Sequence, residues 1–322
     1  MKNNISKTAI IIPTHDRHEN FSKIFEYWAT INYDVYICDS SINKYLGNIP
    51  DFVEYLHLPE YSFSKKILYL LNNSDYDTYG MCADDDILVE TTLNNAIKHL
   101  TNKDYLAYFG GTITYIHADN TFKIFSKPHP IKGDNDNLFI RVDDYFRNHQ
   151  QILWGVYKKR ILIKAFTYLD KQNFSNDNLL EISLASIILY YGKIFITGDY
   201  LNIREMADNS WGRRVKTLSF ANYISNKNVK LNIHQYSNSI DEITQTNFGQ
   251  KVFTAYWNIS YAVKIKIIVK HFIKKTLIIF HLGIIIKLLN KHYKCDVTSK
   301  QVLLSQLFDE ESFKNINKYF GN

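Results

Sequence analysis

The chain has 322 residues, 46% of them apolar and 22% charged, which excludes a disordered or fibrous protein and suits one large α/β domain with an appendage. Three cysteines, Cys38, Cys82 and Cys295, make neither a paired framework nor a metal spacing, and no apolar signal region precedes the first strand, so a reducing, cytoplasmic setting is expected. The net charge of +6 sits toward the C-terminus, where residues 251–300 hold ten Lys against one acid, Asp296.

Residues 8–13 (Thr8-Ala-Ile-Ile-Ile-Pro13) form a continuous apolar run suited to a central parallel strand, and Thr14-His15-Asp16-Arg17 follow as the loop above its end. Phe21, Ile24, Phe25 and Trp28 then recur at helical spacing. A second strand over 33–38 ends in Asp39-Ser40-Ser41, a third covers 52–57, and a helix over 64–71 leads to an apolar stretch at 78–88. Strand and helix alternate up to Leu100, as in a doubly wound sheet.

The stretch at 78–88 carries three consecutive acids, Asp84, Asp85 and Asp86, where the strand leaves the sheet. In open α/β sheets ligands bind beyond the carboxyl ends of the strands, and adjacent carboxylates repel unless a positive charge joins them. A divalent cation carrying a diphosphate supplies that charge. The competing reading is a cap, Asp85 or Asp86 opening the helix over 89–100. Neither G-x-G-x-x-G after the first strand nor G-x-x-x-x-G-K-[ST] is present, so a nucleotide has to be held by loop acids, backbone groups and a metal.

Ile10-Ile-Ile-Pro-Thr-His-Asp-Arg17, Ile37-Cys-Asp-Ser-Ser41 and Cys82-Ala-Asp-Asp-Asp-Ile87 together resemble the opening, second-strand and D-x-D segments of GT-A glycosyltransferases. The likeness is to family 2-like bacterial enzymes of surface-polysaccharide assembly, and it covers roughly residues 8–205. It implies a GT-A-like, mixed and mainly parallel sheet flanked by helices over 1–205, followed by a mostly helical, basic accessory region over 206–322. It also implies nucleotide-sugar contacts from Pro13, Thr14, Asp16, Arg17, Asp39, Lys65 or Lys66, Asp84 and Asp85. Asp84 is expected to face the ribose and share a Mg²⁺ or Mn²⁺ ion with Asp86. The family's usual aromatic-Asn pair is replaced here by His15-Asp16.

Residues 105–116 and 121–125 alternate like a β-ribbon, and the turn-forming run at 127–137 is either a flap over the donor or a plain surface excursion. Trp154, in a strand expected over 152–157, is a candidate for the acceptor wall or for packing. A helix over 175–192 places Asp177 and Glu181 four apart on one face, beside the apolar Leu184, Ala185 and Ile188. Like charges at that spacing, partly desolvated, push one pKa upward, as a general base near neutral pH requires. In the resembled family an acid so placed deprotonates the acceptor; Glu181 matches best, Asp177 is the alternative, and a dipole-facing Asp with a solvated Glu is the bland one. Arg213 and Arg214, with Arg204 as a second possibility, suit a departing diphosphate.

Residues 262–294 alternate a lysine-rich side with one bearing Ile265, Ile268, Phe272 and Phe280, the pattern of a helix lying on an anionic membrane or packing on protein. The least charged window, 276–286, is too short to span a bilayer, and no nucleic-acid motif accompanies the lysines. The expected function is sugar transfer from a nucleotide sugar, UDP-linked first of all, to a glycan or lipid-linked acceptor in capsule or O-antigen synthesis. It is expected to be metal-dependent, inverting, and cytoplasmic or peripheral on the inner membrane face. The rivals are a sugar nucleotidyltransferase, whose Gly-rich Arg loop is missing after the first strand, and a non-catalytic sugar-binding subunit.

Overall fold

The computed structural model describes residues 7–116, 121–124, 133–147, 152–172, 177–206, 227–249, 251–252, 296–299, 314 and 316. Strand β1 (Thr8–Thr14) is buried along its whole length, which is why it reads as a continuous apolar run. Strands β2 (Asp34–Asp39), β3 (Val53–His57) and β4 (Thr78–Met81) lie parallel to it in the order β3-β2-β1-β4. Helix α1 (Phe21–Trp28) links β1 to β2, and α2 (Phe63–Asn73) links β3 to β4. The hydroxyl of Ser62 caps α2 by accepting from the Lys65 amide.

The stretch expected as one strand over 78–88 is broken in two. The Met81 amide donates to the Gly155 carbonyl, the chain turns with the Asp86 amide on Ala83, and β5 (Asp86–Leu88) leaves in a new direction. There it pairs antiparallel with β9 (Lys193–Met206), Asp86 opposite Arg204. Helix α3 (Glu90–Asn102) follows β5 and leads into β6 (Tyr105–Ile116), which forms the expected ribbon with β7 (Thr121–Ile124). Helices α4 (Leu138–Arg147) and α5 (Lys159–Gln172) stand where the sequence reading assigns none. Between them, the strand expected over 152–157 shrinks to β8 (Val156–Lys158), because the Tyr157 hydroxyl donates back to the carbonyls of Ile152 and Leu153 and holds those residues in a turn.

Helix α6 (Asp177–Tyr191) runs into β9, which pairs parallel with β6. The register of this pairing shifts between Phe109 and Gly111 and again between Gly111 and Thr112. A Cβ on Gly110 would lie 2.7 Å from the Asp199 carbonyl oxygen and 2.9 Å from the Leu201 nitrogen, so glycine is what lets β6 and β9 approach there. Strand β10 (Asp296–Ser299) pairs with β7 and extends the mixed sheet.

Alternation along β1 divides the core. Ala9 and Ile11 face α2, α5 and α6, whereas Ile10 and Ile12 face α1 and α3. Helix α7 (Lys227–Thr244) adds Ile233, Tyr236 and Ile240 to the first core, and Ile316 joins the second. Helix α7, Phe248, Val252 and Ile316, from the region after 205, therefore contribute to the same cores as the sheet. The amphipathic stretch at 262–294 lies outside the described residues, among which no helix is long and apolar enough to cross a membrane.

Gly110→Ala is expected to destabilise the chain by about 1–3 kcal/mol in chemical denaturation, because its clashes are with backbone that cannot rotate away. Gly198→Ala, whose added Cβ meets nothing within 4 Å, should change stability far less.

Candidate functional site

The carboxyl ends of β1, β2 and β4 present three loops on one edge of the sheet, at residues 14–17, 39–41 and 82–86. The acids of the third loop are inside the protein, with Asp84, Asp85 and Asp86 only 4%, 8% and 3% exposed. Arg17 answers the first two. Its Nη1 donates to Asp84 Oδ1 at 2.6 Å and its Nη2 to Asp85 Oδ2 at 2.8 Å, so one planar guanidinium bridges neighbouring carboxylates. Thr14 donates its hydroxyl to the other Asp84 oxygen at 2.6 Å. Burial pushes Asp84 up to about 6, against the charges of Arg17 and Lys66 and the bond from Thr14.

Asp86 does not join this pair. Its Oδ1 accepts the Glu205 amide at 3.1 Å and its Oδ2 lies 3.6 Å from Arg204 Nε, so it turns toward β9. Burial and the charge of Asp85 drive its pKa up to about 8, in spite of Arg204 and the Glu205 amide. Asp84 and Asp85 thus converge on Arg17, while the break between β4 and β5 directs Asp86 toward β9. Among the described residues no group of three or more His, Cys, Asp or Glu side chains is gathered to hold a metal. The donor chemistry nevertheless fits a hard cation that brings phosphate oxygens with it, since Mg²⁺ sites commonly use one or two carboxylates. Asp84 and Asp85 already converge on a cationic group, the Arg17 guanidinium.

The second loop is built differently from the expectation that Asp39 faces a base. Asp39 is fully buried, and its oxygens accept from the Ser41 amide (2.8 Å), the Ser41 hydroxyl, the Tyr55 hydroxyl (2.5 Å) and His18 Nε2 (2.7 Å). Burial alone would raise this carboxyl, but those bonds outweigh it and lower the pKa. Asp39 therefore holds the loop's shape, because its acceptor capacity is already used. The Ser41 hydroxyl also accepts from the Asp16 amide at 2.7 Å, with Asp16 in the left-handed region at φ 52. The side chains of His15 and Asp16 remain well exposed beside it, and Pro13 is buried within β1. His18 and Tyr55 are partners that the sequence reading missed, since their one signal is position next to Arg17 and on the strand beside β2.

The two lysines of α2 part ways. Lys65 is exposed, its ammonium 4.3 Å from the centre of the Tyr61 ring, and takes no part in the loops. Lys66 is buried, and its Nζ donates to the Thr14 carbonyl and the Ser40 hydroxyl.

Glu181 lies on α6 with its Oε1 shielded from solvent and, among the described residues, without a hydrogen-bond partner. Burial pushes its pKa up to about 7, offset by the charge of Arg204 and by the Ile152 backbone. Arg204 lies 3.6 Å from Asp86, and its charge opposes the rise in the Glu181 pKa. Asp177 opens α6, but its side chain, like Arg213 and Arg214, lies outside the described residues. Trp154 is partly buried against the core, its ring 6.5 Å from that of Phe63 and its carbonyl accepting from Asn202 Nδ2, which is a packing environment.

No protein-family model matches the sequence, nor does any curated protein. The fold does match solved structures. The crystal structure of S. aureus TarS residues 1–349 in complex with UDP-GlcNAc superposes with a TM-score of 0.53 at 12% identity, over 80% of this chain and 73% of that one. A second crystal structure of TarS 1–349 gives 0.51 at 11%, over 81% and 92%. The chain has the GT-A fold of these glycosyltransferases, as the resemblance read from its motifs implied.

Three buried carboxyls, Asp84, Glu181 and Asp86, have folded pKa values raised to about 6, 7 and 8 from ordinary values of 3.8, 4.5 and 3.8. Between those limits the folded chain binds more protons than the unfolded one, so their contribution to stability is fully present below the ordinary values and is lost as pH rises through the folded ones. The melting temperature should therefore fall from about pH 5 to about pH 8.5. Asp86→Asn should flatten that slope, because the amide keeps an acceptor for Glu205 without the buried charge.

Proposed function

We propose that the chain is a glycosyltransferase that moves a sugar from a nucleotide sugar to a hydroxyl acceptor. One observation carries this reading beyond the fold: Arg204, 3.6 Å from Asp86 in the acid loop, also supplies the charge that most lowers the pKa of Glu181. A site for a charged leaving group and a site for a proton acceptor are thereby joined. The UDP-GlcNAc bound by TarS supports a UDP-sugar as the donor class.

In the proposed reaction Glu181, as carboxylate, takes the proton of the acceptor hydroxyl while its oxygen forms the new bond to the anomeric carbon. The bond from that carbon to the donor's phosphate oxygen breaks, and the nucleoside diphosphate leaves with the bonding pair. Displacement in a single step inverts the anomeric centre. Arg17 and Arg204 supply fixed positive charge near the departing diphosphate, and Thr14 and Ser41 hold the loops that flank it. A Mg²⁺ or Mn²⁺ ion held by Asp84 and Asp85 would add Lewis-acid stabilisation of the same leaving group. Arg213 and Arg214, Trp154 as an acceptor contact, a lipid-linked or glycan acceptor, a role in capsule or O-antigen synthesis and attachment of residues 262–294 to the inner membrane face complete the proposal. These last rest on sequence alone.

Isothermal titration with UDP is the first test. Binding that strengthens with Mn²⁺ and weakens with EDTA is expected, and no UDP binding in either condition would remove the transferase reading. Glu181→Gln should retain UDP affinity yet lose turnover by at least about 100-fold, followed by mass spectrometry of products from a panel of sugar nucleotides. Because the base works deprotonated, wild-type kcat/KM should climb as pH rises through about 7. If Glu181→Gln transfers sugar normally, Asp177 or another acid is the base.

A further inference from the structure

Lys66 enters the sheet from the first half of α2 and is 3% exposed, an unusual place for a lysine. Its ammonium donates to the Thr14 carbonyl at 2.5 Å and to the Ser40 hydroxyl at 3.1 Å. Those acceptors belong to the carboxyl ends of β1 and β2, and the Ser40 amide donates to the same Thr14 carbonyl at 3.2 Å. Each clamped residue leads directly to the candidate site. Thr14 carries the hydroxyl on Asp84, and Ser40 sits between Asp39 and Ser41, whose hydroxyl receives the Asp16 amide.

We propose that Lys66 is a positioning residue for the nucleotide site, its ammonium holding the ends of β1 and β2 at the separation the nucleotide needs without touching the nucleotide itself. This inference rests on the donor-site reading above. A methionine or leucine would fill the same volume without the cost of burying a charge, so packing alone does not account for a lysine there. What a lysine adds is a donor for two acceptors on different strands, and a positive charge beneath two acid loops.

The groups facing the ammonium are Thr14 from β1, Cys38, Asp39 and Ser40 from β2 and its end, and Asp84 from the third loop; Lys65 on the same helix points away, to Tyr61. Burial lowers the Lys66 pKa to about 8, against the opposing pull of Cys38, Asp39 and Asp84. A clamp with that pKa is charged at neutral pH and discharges in mild alkali. Neutral amine keeps hydrogen-bonding capacity but loses the charge that strengthens both bonds and balances the acids.

The test is UDP affinity by titration calorimetry from about pH 6.5 to about pH 9, for wild type, Lys66→Arg and Lys66→Met, each first checked for folding by circular dichroism. Wild-type affinity should fall several-fold across about pH 8. Lys66→Arg, which stays charged, should lack that inflection, and Lys66→Met should bind about 10-fold more weakly at neutral pH with no inflection there. Ionisation of UDP itself affects all three alike, so differences between their profiles report the lysine. A Lys66→Met protein that is folded, less stable and still binds UDP like wild type would overturn the proposal, leaving Lys66 a structural residue only. Should both variants fail to fold, a wild-type profile without an inflection near 8 overturns it alone. Absence of UDP binding by wild type at every pH defeats the donor reading and this inference with it, whereas metal-dependent UDP binding with indistinguishable profiles defeats only this inference.

Discussion

The bridge from Arg17 to Asp84 and Asp85 is the interaction on which the arrangement of the site depends. Two adjacent carboxylates buried at the end of a strand repel each other and resist desolvation. A guanidinium donating to both at 2.6 and 2.8 Å offsets that cost and ties the loop after β1 to the turn after β4. Thr14 adds a third connection on the oxygen that Arg17 leaves open. The parallel pairing of β1 with β2 and β4 brings these loops to one edge, and the side chains then lock them together.

Around that bridge, charge is arranged as an alternating series. Lys66 lies beneath Thr14, Arg17 joins Asp84 to Asp85, Arg204 faces Asp86, and Glu181 lies within the field of Arg204. Lys23 from α1 reaches Glu205, next to Arg204 in β9, at 3.3 Å. Each buried acid has a basic neighbour drawn from a different element, so the charges hold together the elements that a purely apolar core would leave free to slide. The cost is visible in the raised carboxyl pKa values of Asp84, Asp86 and Glu181, which a protein selected for stability alone would avoid. That concentration of buried carboxyls is the physical feature on which the proposed site rests.

Much of the scaffold was legible in the chain. Runs of alternating or continuous apolar residues located β1, β2, β3, α1, α2 and α3 to within a residue or two of their ends. The three polar loops were legible as well, since Asp39-Ser40-Ser41 and Asp84-Asp85-Asp86 stand at the ends of such runs. Failures were of another kind. Helices α4 and α5 went unassigned, the break between β4 and β5 was not foreseen, and Lys65 and Lys66 were treated as equivalent although one meets solvent and the other the sheet.

The sequence by itself determined the periodicities, the apolar strands and the clustering of acids where a strand ends, because those follow from side-chain spacing along a few neighbouring residues. Only the tertiary structure decided which acid faces which base. Thr14 and Asp84 are 70 positions apart, Arg17 and Asp84 are 67 apart, and the Asp86 contact with Glu205 spans 119. Such pairings are set by which strands become neighbours and where β4 yields to β5. Burial and hydrogen bonding then turned Asp39 into a loop holder, directed Asp86 toward β9 and left Glu181 with an oxygen that no group among the described residues satisfies. Apart from the Ser41 bonds to Asp39, these depend on residues distant in the chain, which is the physical reason the sequence alone could name the acids without assigning their partners.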